Sequence, residues 1–170
     1  MPDLPRLRRL LPPDALHYTG PRTPVASLAL YNTAATARSL VHMFAPDGGA
    51  HTIAGIPTDV TGGDNIIALF GQWGAEQLLI TALTWIVLIR YRGLIPLMIA
   101  TALTDQVLRL LIGQLKPLTS EHTPPGALGT WIMLPLLVII LTASLTQPRQ
   151  QTPTTPGSRP SKASEVLGQS

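Results

Sequence analysis

Six polar side chains that lie within otherwise apolar stretches are the residues of this sequence that could do chemistry. They are Arg38, His42, Gln72, Glu76, Asp105 and Arg109. Carboxylates and imidazoles carry protons and guanidinium groups bind anions, so this set could relay a proton or hold a small polar or anionic molecule. An ion-pair network that only orients the helices is the alternative interpretation.

The surrounding composition indicates that these residues lie in a membrane. The chain has 170 residues, of which 45% are hydrophobic and only 12% are charged, whereas soluble domains average about 25% charged residues. Residues 66–89 and 94–115 form two long apolar runs joined only by residues 90–93. Each run has the roughly 20 residues that a helix needs to cross a bilayer. This pattern predicts a membrane hairpin.

Two further segments are candidate spans. Residues 127–145 form the cleanest apolar run, whereas residues 25–44 are long enough but only moderately apolar. Small side chains allow close packing between membrane helices, so we expect residues 25–44 to lie inside the bundle, through Ala26, Ala29, Ala34, Ala35 and Ala37. An amphipathic helix on the membrane surface is the competing interpretation. The chain is therefore predicted to be all-α, with a four-transmembrane-helix bundle over residues 24–146.

The basic residues predict the orientation of this bundle. The N-terminal arm (residues 1–23), the Arg90/Arg92 turn and the tail all carry Arg or Lys, whereas the two loops on the opposite side contain a single Lys116. The positive-inside rule then places both termini in the cytoplasm and the bundle in the inner cell membrane. The arm is expected to be either a basic surface helix or disordered. Residues 147–170 are polar and rich in Pro, which predicts a disordered cytoplasmic tail.

The charged residues are expected to pair with one another. Counted from the nearer helix end at about 1.5 Å per residue, Arg38 and Arg109 lie roughly 10 Å deep, and Glu76 and Asp105 roughly 15 Å deep. One unpaired charge at a helix centre costs about 2.5–3.5 kcal/mol on insertion scales. We therefore expect Glu76 to pair with Arg109 or Arg38, and Asp105 with Arg109 on its own helix or with Arg38.

Several functional classes are excluded or disfavoured. The chain contains no cysteine, which excludes disulfides, thiolate nucleophiles and iron–sulfur ligation. No phosphate-binding loop, nucleophile elbow or metal-ligand spacing is present, so no metal, cofactor or catalytic residue is predicted. The basic residues do not alternate with aromatic residues, so nucleic acid is not an expected partner. Gly71 and Gly74 flank a Trp, which is more typical of a helix-packing notch than of a ligand contact.

The order of these features resembles a known group of small membrane proteins. A polar first span, a glycine-rich loop, the run from Phe70 to Gly74, an Arg-containing turn and a third span with an Arg near its end are similar to the DoxX-like and DUF4345-like four-helix proteins. The resemblance covers roughly residues 25–145. It implies a four-helix integral membrane fold and a link to quinone or redox systems, but it implies no catalytic residue.

Three functional hypotheses follow. The first is a non-enzymatic bundle that is accessory to another membrane protein, forms a homodimer, or binds a small polar or anionic ligand in its interior. The second is a small proton-coupled transporter that uses Glu76 or Asp105. The third is a membrane enzyme for a lipid or quinone-like substrate, with Glu76, Asp105 and His42 as acid and base. The lipid bilayer is the partner common to all three, and the first hypothesis is favoured.

Overall fold

The structure is a computed structural model that describes residues 8–146, and over that range the chain forms four long helices and no strands. They are α1 (Arg22–Phe44), α2 (Gly63–Ile89), α3 (Ile95–Leu115) and α4 (Pro125–Ser144). A single 3₁₀ turn at Arg92–Leu94 separates α2 from α3. The predicted all-α class is confirmed for these residues. The predicted disordered tail, residues 147–170, and the first seven residues of the arm lie outside the described range.

Three helices of the described range are long and apolar enough to cross a membrane. They are α2, α3 together with its preceding turn, and α4. Large apolar side chains cover their outer surfaces: Leu79 is 65% exposed and Ile139 is 64% exposed. Exposed apolar surface of this extent is expected when lipid covers it. The first helix, α1, has 23 residues, but it is not among the helices that meet the same apolarity criterion.

The helices pack in two pairs rather than around the predicted hairpin. Most of the contacts of α2 are with α1, and α3 packs chiefly against α4, whereas α2 and α3 touch one another only lightly. The first helix also contacts α3 and α4, so it lies within the bundle as expected and not apart from it. The two apolar runs are consecutive in sequence, but each is stabilised mainly by another helix.

An apolar core joins the two pairs at one end of the bundle. Leu28 of α1, Leu88 of α2, Ile95 and Ile99 of α3 and Leu137 of α4 are all buried there. We call this the arm end, because the described part of the arm, residues 8–21, packs across it. The opposite end carries the loops at residues 45–62 and 116–124 and is called the loop end.

The contact between α1 and α2 is built from small and polar side chains. A Cβ atom added to Gly74 would lie 2.7 Å from the Cβ atom of His42 and 2.9 Å from the carbonyl oxygen of Ser39, so only glycine permits this approach. The expected packing notch is therefore confirmed at Gly74. Asn32 of α1 is buried and donates a hydrogen bond of 3.1 Å to the carbonyl oxygen of Thr81.

The alanines of α1 are not what holds it in place. Ala26, Ala34 and Ala37 are exposed, and Ala29 and Ala35 are only partly buried. Leu28, Asn32, Ser39 and His42 are the buried residues of this face instead. The expectation that the alanines form the packing surface is wrong. The face of α1 that contacts the other helices is the one that carries the buried polar residues, because these side chains have partners inside the bundle.

Contacts at both ends connect the helix pairs. At the arm end, the backbone N–H of Gly93 donates to the carbonyl oxygen of Ala15 at 2.9 Å. The Tyr18 hydroxyl donates to the Ser144 carbonyl oxygen at 3.2 Å. At the loop end, the backbone N–H of Glu121 donates to the carbonyl oxygen of Gly55 at 2.8 Å. The described part of the arm therefore contacts the bundle, which neither interpretation of the sequence anticipated.

Candidate functional site

Two arginines from different helices converge on one tryptophan in the half of the bundle nearer the loop end. The guanidinium carbon of Arg109 in α3 lies 4.6 Å from the ring centroid of Trp73 in α2. The guanidinium carbon of Arg38 in α1 lies 5.5 Å from the same ring. Both distances are within the range of cation–π interactions, which strengthen when the groups are removed from water. We call the site formed by Arg38, Trp73, Gln77, Asp105 and Arg109 the polar cluster.

The cluster contains two guanidinium groups but only one carboxylate. Arg109 Nε donates to Asp105 Oδ2 at 2.9 Å, one helical turn away on α3. Arg38 Nη2 donates to the neutral amide oxygen of Gln77 at 2.6 Å. The predicted pairing of Asp105 with Arg109 is therefore confirmed, whereas Arg38 has an uncharged partner. The cluster carries an excess of one positive charge.

Each arginine also has a nitrogen that is buried without a hydrogen-bond partner in the described part of the protein. These atoms are Nε of Arg38 and Nη2 of Arg109. A buried donor to which nothing accepts is unfavourable, and the penalty is larger when the group is charged. The unpaired donors and the excess charge both favour an acceptor with negative charge at this position.

A polar chain fixes the position of Asp105. Gln106 is buried on α3, and its Nε2 atom donates to the Tyr31 hydroxyl oxygen at 3.0 Å and lies 3.4 Å from Asp105 Oδ2. Tyr31 belongs to α1, so these hydrogen bonds connect α3 to α1 beside the cluster. The carboxylate is thereby held by two side chains of its own helix.

His42 lies next to the cluster but faces the loop. Its ring centroid is 4.7 Å from that of Trp73, and its Nδ1 atom is 2.7 Å from the carbonyl oxygen of Gly48. Because a carbonyl oxygen only accepts hydrogen bonds, Nδ1 must carry the proton. This bond joins the end of α1 to the loop that follows, which is a positioning role. No described carboxylate is paired with the imidazole.

Besides His42, two further predicted site residues lie outside the cluster. Gln72 and Glu76 are exposed on the side of α2 that faces away from α1, and Glu76 forms no ion pair with a described residue. The expected pairing of Glu76 with Arg109 or Arg38 is wrong. Each residue of an α-helix is rotated by about 100° from the last, so the next residue, Gln77, is the one that is buried and reaches Arg38.

A narrow cleft runs from the cluster between the two helix pairs. Its volume is about 60 Å³, which is room for a few water molecules. Arg38 and Asp105 stand at one end of it, and Leu28 and Thr84 lie toward the arm end. Polar groups from three helices line the cleft, namely Tyr31, Asn32, Gln77, Thr81 and Thr101. The light contact between α2 and α3 is what leaves this space open.

The loop end offers no metal site within residues 8–146. No group of three or more His, Asp or Glu residues in that range is placed to hold a metal ion. Asp47 instead accepts hydrogen bonds from the backbone N–H groups of Gly49, His51 and Thr52, at 2.8–3.1 Å. Hydrogen bonds led by that from Thr52 lower the pKa of the Asp47 carboxyl to about 2. The carboxylate shapes the loop.

Comparison of the chain with protein-family models, curated protein sequences and solved structures found no match.

Two members of the cluster were missed from the sequence. Trp73 and Gln77 directly follow Gln72 and Glu76 in the sequence, and spacing within α2 alone does not show which of these neighbours face α1. A signal was nevertheless present: Gly63, Gly74, Gln77, Thr81 and Thr84 recur at helical spacing on one face of α2 and are all buried. A stripe of small and polar residues in an apolar helix marks the face that packs against another helix.

Proposed function

We propose that this protein is a four-span integral membrane protein with both termini in the cytoplasm, and that α1 is the fourth span. Its 23 residues would extend about 34 Å at about 1.5 Å per residue, enough to cross the apolar core of a bilayer. Its polar side chains have partners inside the bundle. Arg22, Arg90 and Arg92 lie at the arm end with the basic arm, which supports a cytoplasmic arm end. A reporter fused after Ser170 that is active only outside the cytoplasm would refute this topology.

The function that the geometry supports best is the binding of a small oxyanion, a carboxylate or phosphate group, at the polar cluster. The observation that carries this proposal is the convergence of Arg38 and Arg109 on Trp73 with only Asp105 to balance them. An anion with two or more oxygens could accept from both unpaired guanidinium nitrogens and neutralise the excess charge. Guanidinium groups are suited to this because their donors lie in one plane and match oxyanion geometry.

The alternatives of a proton-coupled transporter and a membrane enzyme have less support. The transporter was predicted to use Glu76 or Asp105, and the enzyme to use Glu76, Asp105 and His42 together. Glu76 faces away from the other two, and the proton on Nδ1 of His42 is directed to the Gly48 carbonyl oxygen. Asp105 already accepts from Arg109. A binding role without chemistry requires only the groups that lie together in the cluster.

The intrinsic fluorescence of Trp73 provides a direct test of oxyanion binding. We would use the full chain in detergent micelles with Trp85→Phe and Trp131→Phe, so that Trp73 is the only remaining tryptophan. Sodium acetate, sulfate and phosphate would be titrated at constant ionic strength made up with sodium chloride. At least one oxyanion is expected to change the emission of Trp73 with saturation, because binding would move the guanidinium groups that contact the ring.

Two variants separate a specific site from a general salt effect. Arg38→Gln keeps a hydrogen-bonding group toward Gln77 but removes the charge, and it should weaken binding by about tenfold or more, since a charged hydrogen bond contributes roughly 1.5–3 kcal/mol. Arg22→Gln removes a charge from the exposed start of α1 and should leave binding unchanged. Equal responses of the two variants, or no saturable response to any oxyanion, would remove the support for the proposal.

A second candidate function, association with another copy through α2, is favoured by the exposed polar residues. Gln72 and Glu76 lie on a surface otherwise formed by apolar side chains such as Leu69 and Leu79, which are 63% and 65% exposed. Polar groups of this kind are unfavourable when they face lipid. They are favourable when they form hydrogen bonds between membrane helices. The patch contains an amide donor and a carboxylate acceptor one turn apart, so it is self-complementary about a two-fold axis.

The absence of native cysteine makes this association simple to test. Ala75→Cys introduces one thiol beside the patch, and oxidation in native membranes should yield a disulfide-linked dimer. Ile139→Cys on the exposed face of α4 is the matched control and should remain monomeric. Adding Glu76→Leu to Ala75→Cys should abolish the dimer. Cross-linking that is equal at the two positions would indicate random collision and contradict the association.

A further inference from the structure

A second cleft lies at the arm end, well separated from the polar cluster. Its volume is about 180 Å³, three times that of the cleft beside Arg38. Three parts of the chain line it: the arm, the start of α3 with its preceding turn, and the end of α4. The lining includes Arg8, Arg9, His17, Tyr18, Pro96 and Ser144.

Hydrogen bonds hold the walls of this cleft in place. Arg9 donates to the carbonyl oxygen of Leu145 just beyond α4, and the Tyr18 hydroxyl donates to that of Ser144. The backbone of Gly93 lies so close to the arm that an added Cβ atom would be 2.9 Å from the carbonyl oxygen of Ala15. The cleft is thus formed by defined contacts between the arm and the bundle, and not by a chance gap.

The charge at this end is strongly positive. Arg8 and Arg9 line the cleft, and Arg22, Arg90 and Arg92 lie on the same end of the bundle. The described carboxylate here is Asp14, which accepts from the backbone N–H of Leu16 at 2.9 Å and lies 2.7 Å from the imidazole of His17. Asp14 is therefore engaged within the arm, and the arginines of the cleft have no described carboxylate as partner.

The position of the cleft matches the headgroup layer of a membrane. It lies where α2, α3 and α4 reach their common end, next to exposed apolar residues such as Ile89, which is 74% exposed. Basic pockets between membrane helices at the cytoplasmic surface bind the headgroups of anionic lipids. We propose that the arm-end cleft binds the phosphate group of an anionic phospholipid, with Arg8 as the principal cationic contact.

Native mass spectrometry of the full chain, released from detergent with added lipid, tests this proposal. Phosphatidylglycerol and phosphatidylcholine carry the same phosphodiester but differ in net charge, and they would be offered separately at equal concentrations. We expect one phosphatidylglycerol molecule to be retained preferentially. Arg8→Gln should lower its affinity about fivefold, since one basic residue near an anionic lipid surface contributes about that factor. Arg8 is exposed, so its replacement should not impair folding.

Arg22→Gln is the matched control, because Arg22 is an exposed arginine at the same end that does not line the cleft. The affinity of the Arg22→Gln variant for phosphatidylglycerol should differ from that of the wild type by less than twofold. If Arg8→Gln and Arg22→Gln weaken retention equally, the positive end attracts lipid without a site and the proposal is overturned. It is also overturned if inorganic phosphate at millimolar concentration binds in place of the lipid, or if phosphatidylcholine is retained equally well.

Discussion

Replacement of Gly74 by alanine is expected to separate α1 from α2. The added Cβ atom would lie 2.7 Å from the Cβ atom of His42, 2.9 Å from the carbonyl oxygen of Ser39 and 3.0 Å from the backbone nitrogen of Met43. Ordinary contacts of this kind begin at 3.4 Å, so the helices must move apart by about 0.7 Å. Two of these three atoms belong to the backbone and the third is a Cβ atom, so no change of rotamer can relieve the contacts.

The magnitude follows from two opposing effects. Overpacking of a close contact costs about 1–3 kcal/mol, whereas glycine to alanine in a helix interior gains about 0.5–1 kcal/mol. The net destabilisation should be about 1 kcal/mol. For a chain of this size that corresponds to a melting temperature lower by about 2–4 °C. The emission of Trp73, one residue away, should report the transition in detergent.

Two other glycines provide matched controls. A Cβ atom at Gly71, in the same helix, would meet only the His42 carbonyl oxygen at 3.8 Å, and one at Gly113 in α3 would meet nothing within 4 Å. Alanine at either position should preserve or raise the melting temperature. If Gly74→Ala melts at the same temperature as Gly71→Ala, then the close approach at Gly74 does not limit helix packing.

Two further predictions concern the two ends of the bundle. Asp47→Ala should lower the melting temperature at pH 7, because the carboxylate accepts three backbone hydrogen bonds in the loop. The pKa of Asp47 is lowered from 3.8 to about 2 by folding, so this stabilisation is present above about pH 4 and lost as pH falls through the folded pKa. Plots of melting temperature against pH for Asp47→Ala and for the wild type should converge near pH 2, and a difference that persists at that pH would contradict this role of the carboxylate. Gly93→Ala should displace the arm, and trypsin should then cleave after Arg9 faster than in the wild type or in Gly126→Ala; equal rates would show that the arm is not anchored at Gly93.

The extent of the three apolar helices could be predicted because the length of each apolar run can be read from the sequence. The spans expected at residues 66–89 and 94–115 correspond closely to α2 and α3. Which helices pack together could not be predicted in this way. A helix that is apolar on every side does not identify its neighbour by hydropathy. The hairpin pattern therefore does not show that α2 packs mainly against α1, which it approaches closely at Gly74.

The candidate site was predicted only in part for the same reason. Helical spacing correctly places Asp105 beside Arg109, because residues four apart share a face regardless of the neighbours. Spacing also places Gln72 and Glu76 on one face of α2, but it does not say whether that face points inward. The glycine and threonine residues decide this, since their small side chains allow α1 to approach. Glu76 is turned outward as a consequence.

The low apolarity of α1 and the excess charge of the polar cluster have a common origin. Asn32 donates to the Thr81 carbonyl oxygen, Thr36 accepts from Trp85 and Arg38 donates to Gln77, so the polar groups of α1 find partners on α2. A helix with such groups crosses lipid poorly by itself, because each unpaired polar group costs free energy there. Stable insertion of α1 should therefore require α2. The charge of Arg38 is not neutralised by α2, because Gln77 is an uncharged partner, and it is the charge that the proposed oxyanion would balance.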